Sequence, residues 1–131
     1  MRAVDTNVVV RYLLADEPRQ AAAARRLIDR HPCWVSLTVL LETEWVLRGA
    51  AGLARREVHR LLLAFAGLPT VSVEQPAVAA RALDLFGAGM DFADAIHACV
   101  ADAAGCAVFA TFDRRLVSGA RKAGLGFVGA P

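Results

Sequence analysis

The sequence contains one lysine, Lys122, and one tyrosine, Tyr12, and aromatic residues make up only 7% of its 131 positions. Its basic character is therefore almost wholly arginine, whose rigid fork suits phosphate and carboxylate partners. Alanine and arginine abundance together nevertheless reads first as genome composition. The three cysteines, Cys33, Cys99 and Cys106, include no C-x-x-C pair. That excludes a thiolate zinc site and a disulfide framework, and the three read as core thiols of a cytoplasmic protein. Long apolar runs are missing as well. The longest charge-poor stretch, 92–112, is interrupted by Asp94, His97 and Asp102, whereas a membrane helix needs ~20 mostly apolar residues. Arg2, Asp5 and Arg11 break the N-terminal region before any apolar segment with a cleavage site could form, so no export is expected. A phosphate-cradling glycine loop is absent, since Gly87-Ala88-Gly89 has neither the further glycine nor the preceding strand. Ser36, Ser72 and Ser118 lie in no nucleophile-elbow context, which removes support for covalent acyl chemistry.

What remains is 56% hydrophobic and 21% charged with a net charge of +2, the balance of a chain with a packed core. The length suits a single domain spanning 1–131. Short apolar runs alternate with helical periods. Ala3-Val4 leads into Asp5 as a first strand, and Cys33-Trp34-Val35, 70–73, 107–111 and 126–128 read as four more. Between them, a bridging helix passes through Tyr12 and Leu14, and a second, capped by Asp16 with Pro18 in its first turn, runs to Arg30. Ser36 caps a helix through Glu42 and Trp45 that Gly49 or Gly52 ends. Val58, Leu61, Leu62 and Phe65 mark another, 76–86 a further one, and a short helix surrounds Leu116. Asp91 caps a helix whose apolar stripe is Phe92, Ala95, Ile96, Cys99, Val100 and Ala103. Strands separated by helices imply crossovers, hence an α/β fold: a three-layer α/β/α sandwich around a mostly parallel central sheet.

Ligands of open parallel sheets bind beyond the carboxyl ends of the strands. Asp5 ends the first strand, Asp113 follows the fourth, and Asp91 and Asp94 open the helix before that strand. Glu42 is flanked by Val39, Leu40, Leu41, Trp45, Val46 and Leu47, and a carboxylate with so many apolar neighbours is rarely there by default. Each acid has an ordinary structural explanation: a helix cap for Asp91, a solvated face for Asp94, a turn for Asp5 and Asp113. Together those explanations weaken. Carboxylates gathered at one edge repel by ~4 kcal/mol per close pair at an effective dielectric of 20, and a bound cation resolves the repulsion. Oxygen donors without adjacent cysteine fit Mg²⁺ or Mn²⁺ better than Zn²⁺. His31, His59 and His97 do not alter this, His97 being read as a partly exposed helix residue one turn past Asp94.

At these residues the sequence resembles the PIN-domain ribonucleases, and among them the VapC toxins of bacterial toxin–antitoxin pairs. Four features carry the resemblance: Val4-Asp5-Thr6-Asn7; the 36–42 segment followed by Trp45-Val46-Leu47; Asp91-Phe92-Ala93-Asp94-Ala95; and Thr111-Phe112-Asp113. None is specific alone, but their order and spacing are. The resemblance implies that Asp5, Glu42, Asp94 and Asp113 are catalytic and hold divalent metal, and that Asn7 and Thr111 hydrogen-bond and orient them. It further implies a Mg²⁺-dependent endoribonuclease that hydrolyses phosphodiesters with a metal-activated water, a homodimer, and a small antitoxin that blocks the site. An acidic site repels a polyanion, so arginines must guide the RNA from the rim: Arg11, Arg48, Arg114 and Arg115, with Arg121 and Lys122 behind them. Two other readings stay open. One is a non-catalytic module whose acidic cleft holds a partner's arginines. The other is an aspartyl-phosphate phosphatase, for which Asn7 stands where a second Asp is wanted and Lys122 is a poor supporting lysine.

Overall fold

Strand segments as short as these form only where neighbours complete their hydrogen bonds, and the computed structural model, which describes residues 1–131, shows two such places. Its seven helices and five strands divide between two units, Met1–Pro76 and Ala77–Pro131.

In the first unit the order is β1 (Arg2–Ala3), α1 (Thr6–Leu14), α2 (Pro18–Arg30), β2 (Cys33–Val35), α3 (Leu37–Arg48), α4 (Arg55–Ala66) and β3 (Val71–Val73). Each strand pair is joined through two helices, so the pairing is parallel, in the order β1-β2-β3 with Arg2 opposite Cys33 and Cys33 opposite Val71. The central position of β2 explains its composition: Cys33 and Val35 are fully buried, as a strand covered on both sides requires. Beneath it, Ile28, Leu40, Leu47, Val58 and Leu62 exclude solvent completely, and α1 packs on both α2 and α3. Tyr12 of α1 ties two helices: its ring meets Phe65 edge-on at 6.1 Å, and its hydroxyl donates to Asp29 at 2.8 Å. Burial and Asp29 together push the phenol up to about 12.

The second helix begins one residue later than its sequence signals suggest. Arg11 takes the carboxylate of Asp16 at 3.1 Å, and the cap passes to Glu17, whose oxygens accept the Arg19 and Gln20 amides. Between the helices, Ala15 adopts φ +53°, a left-handed conformation more often taken by glycine.

In the second unit α5 (Pro76–Gly87) and α6 (Phe92–Ala103) precede β4 (Phe109–Ala110), α7 (Arg114–Lys122) and β5 (Val128–Gly129). Here α7 is the crossover of a parallel pair, Phe109 opposite Val128. The five strands are thus hydrogen-bonded as two parallel sheets, one in each unit. The chain is α/β throughout. Phe86 and Phe92 pack at 5.2 Å, and Arg81 of α5 pairs with Asp102 of α6. The apolar stripe of α6 is shifted from the simple period. Val100 is only partly buried and Ala103 is exposed, while Ala98 is buried with Leu116, Ala120, Leu125 and Val128 in a cluster made by α7 and β5. A second covering element widened the buried arc. Cys33 and Cys99 are core thiols, but Cys106 is exposed, because it lies in the turn that leaves α6 after Gly105. No helix is long and apolar enough to cross a membrane.

Candidate functional site

Because β1, β2 and β3 are parallel, the residues that leave them fall on one edge of the sheet: Asp5 after β1, Ser36 after β2 and Glu74 after β3. Each opens or braces a helix there. Asp5 caps α1, its Oδ1 accepting the Val8 amide at 3.1 Å. Ser36 Oγ accepts the Val39 amide at 3.1 Å, and Glu74 Oε1 accepts the Leu37 amide at 2.9 Å. Two side chains from different strands therefore satisfy the first turn of α3. Glu74 escaped the sequence reading although it obeys the same rule as Asp5, an acid directly after a parallel strand. Its partner lies 37 residues away, beyond the reach of local capping patterns.

Asp5 and Asn7 line a groove of about 460 Å³ with Val8, Arg11, Gln20 and Leu27. Asn7 is exposed. Arg11 does not face the groove as a free cation, since Gln20 accepts its Nε hydrogen at 2.7 Å and Asp16 accepts from Nη1.

On α3 the two carboxylates have opposite environments. Glu44 is 2% exposed and pairs with Nε of Arg48 at 3.1 Å, whereas Glu42 is exposed. The expectation that Glu42 sits among apolar neighbours is therefore corrected. Its neighbours in sequence turn inward with Leu40, Thr43, Glu44 and Leu47, while Glu42 shares an outward face with Thr38 and Trp45 at helical spacing. Trp45 is 65% exposed. Glu42 thus has open oxygens, as a ligand requires, and Arg48 is engaged with Glu44.

In the second unit Asp91, Asp94 and Asp113 come into one another's fields. Asp91 caps α6 through the Asp94 amide at 3.1 Å. Asp94, one turn in, has its carboxyl raised above the usual carboxylate range by burial first, then by the negative charges of Asp91 and Asp113, with His97 acting in the opposite sense. Asp113 caps α7, its Oδ1 accepting the amides of Arg115 and Leu116 at 2.9 and 3.2 Å. Thr111 Oγ1 accepts the Asp113 amide at 3.0 Å. Asp5, Asp91 and Asp113 each spend one oxygen on a helix terminus, and the other is open to a ligand.

Within neither unit do three acidic, histidine or cysteine side chains converge at ligating distance. The donor chemistry nonetheless suits a hard divalent cation: oxygen-only carboxylates, and at Asp94 a carboxyl raised by burial and then by like charge, which a cation would relieve. Of the arginines expected to guide RNA, Arg11 and Arg48 are in ion pairs, while Arg114 and Arg115 are exposed at the start of α7.

No curated protein and no solved structure matches the chain. A family model does: the PIN domain, over residues 2–122. PIN domains are in general metal-dependent nucleases. With a match that takes in both units, and with α/β architecture and acids at strand ends and helix starts, the chain belongs to the PIN-domain family.

Proposed function

We propose that the protein is a Mg²⁺- or Mn²⁺-dependent endoribonuclease acting as the toxin of a toxin–antitoxin pair, with Asp5, Glu42, Asp94 and Asp113 as its metal-holding catalytic acids in a single domain. The observation that carries the reading is the crowding of negative charge at Asp94 in a chain of this family. Burial raises that carboxyl first, and the charges of Asp91 and Asp113 add to it, an arrangement that a divalent cation would relieve. A bound divalent ion would supply Lewis acidity, lowering the pKa of a water and offsetting charge on the phosphate. The chain's own contribution is orientation. Helix capping holds Asp5 and Asp113 with one oxygen committed and one presented, and Thr111 fixes the backbone of Asp113. Asn7 lines the same groove as Asp5, and on this reading it orients that acid. None of the four acids is in an ion pair with arginine or lysine. A small antitoxin inserting an arginine would satisfy the same carboxylates, and a homodimer and a cytoplasmic setting complete the reading.

Incubating the protein with total RNA in Mg²⁺ and in EDTA tests it. Cleavage in Mg²⁺ alone, absent in Asp94→Asn and Asp113→Asn, is expected. Equal binding of a partner in EDTA with no cleavage under any metal would identify a non-catalytic acidic module instead. Growth arrest on induced expression, relieved by Asp113→Asn, tests the toxin role.

A further inference from the structure

Phe112 is 92% exposed, the largest exposure of any big apolar side chain in the protein. The ring stands in water between Thr111, which braces the backbone, and Asp113, which caps α7. It lines a groove of about 640 Å³ together with Thr111, Arg114, Val117, Arg121 and Lys122. Arg114 and Arg121 are seven positions apart on α7 and so share one face of that helix, and Lys122 lines the same groove beside them. None of the three is in an ion pair, unlike Arg11, Arg48, Arg60 and Arg81. The only acid on this segment, Asp113, directs Oδ1 to the amides of Arg115 and Leu116. Seven residues of helix advance about 10.5 Å, the length of about three stacked nucleotides at ~3.4 Å each.

We infer that this groove seats single-stranded RNA, with one base stacked on Phe112 and the adjoining phosphates on Arg114, Arg121 and Lys122. The inference rests on the ribonuclease reading and deepens it. An open ring beside a row of unpaired cations is the combination that single strands use, because every base has a face to stack and every linkage a charge to neutralise. A paired duplex offers neither open base faces nor the same reach. Phe112 adjoins Asp113 in the chain, so a base held on its ring brings a neighbouring phosphodiester toward that acid. Phe112 is a positioning residue on this account. An exposed phenylalanine could instead mark a protein contact, but a protein contact does not call for three unpaired cations beside it.

The test measures fluorescence anisotropy of a short labelled single-stranded RNA of mixed sequence in EDTA, where metal-dependent cleavage is off, against the same RNA in a duplex. Phe112→Ala is expected to weaken single-strand binding at least about fivefold. Phe112→Trp is expected to restore it, and the duplex to bind more weakly with no response to either change. Arg114→Ala, Arg121→Ala and Lys122→Ala should each lower the slope of log affinity against log salt by about 0.7. Because Phe112 is exposed, its variants should melt as the wild type does. Wild-type affinity in Phe112→Ala, unchanged slopes in the arginine variants, or no single-strand binding by wild type would overturn the inference. RNA cleavage in Mg²⁺ is read separately. Phe112-dependent binding without cleavage would sink the nuclease reading alone, and cleavage insensitive to Phe112 would sink the groove alone.

Discussion

Thr111 Oγ1 accepts the backbone N–H of Asp113 at 3.0 Å, so the residue that follows β4 holds in place the residue that caps α7. Asp113 then serves the amides of Arg115 and Leu116 with a single oxygen. Capping and catalysis are thereby separable by substitution. Asp113→Asn keeps an acceptor for the cap and removes a charge that strains Asp94, so it should melt no lower than wild type while abolishing metal-dependent cleavage. Asp113→Ala should lose about 1 kcal/mol as well. Asp5→Asn and Asp5→Ala should divide the same way at α1. Wild-type cleavage by both asparagine variants would remove these acids from the site.

At Asp94 a stability penalty meets the proposed metal-holding role. Its folded pKa lies above the ordinary value, so the folded state holds the proton more tightly than the unfolded one. The resulting stabilisation is complete below the unfolded carboxylate pKa and is lost as pH rises through the folded one. At neutral pH the charged form is the strained one. Asp94→Asn should therefore melt higher than wild type in EDTA at neutral pH, the difference should vanish in acid, and added Mg²⁺ should raise the variant less than the wild type. A thermal melt series at low salt, with and without metal, reads all three. A variant that melts lower in EDTA and gains the wild-type Mg²⁺ shift would make Asp94 an ordinary helix residue.

The two glutamates of α3 should behave oppositely. Arg48→Ala leaves the Glu44 carboxylate buried without its partner and is expected to cost roughly 1–3 kcal/mol, less than a fully buried pair because Arg48 itself reaches solvent. Glu42→Gln should leave the melting temperature unchanged, since the side chain is exposed, yet reduce cleavage if Glu42 holds metal as proposed. Chemical denaturation and a cleavage assay on the same two proteins decide the assignment.

Tyr12 gives the first unit an alkaline limit. With its phenol pushed up to about 12 from 10.0, the folded state keeps the proton while the unfolded state gives it up, so stability should fall as pH rises across that interval. Tyr12→Phe loses the hydrogen bond to Asp29 but should show a shallower fall. Identical slopes in the two proteins would mean that the phenol ionises alike in both states.

Ala15 at φ +53° closes α1 in a conformation that costs a side-chain-bearing residue about 1–2 kcal/mol. After the entropy that glycine loses on folding, Ala15→Gly should stabilise the protein by roughly 0.5–1 kcal/mol. Denaturant titration should show a higher midpoint at an unchanged slope.

Local chemistry is what the sequence settled unaided. The α/β class, the parallel pairing implied by helical connections and the caps at Ser36 and Asp91 follow from short-range rules of period and hydrogen bonding. Membership of the PIN-domain family was also readable, because the order and spacing of the segments around Asp5, Glu42, Asp94 and Asp113 survive in one dimension. What sequence neighbours cannot report is direction. Glu42 and Glu44 are two residues apart, so the helical period turns one outward and the other into the core, reversing the environments that their shared apolar flanks suggest. Asp16 is by residue type the better cap, but its carboxylate pairs with Arg11 and Glu17 caps the helix in its place. Glu74 became a cap for α3 only when β3 came to lie beside β2. The exposure of Phe112 was likewise decided in three dimensions, because whether an aromatic ring packs inward or stands in solvent depends on which residues already fill the core around it.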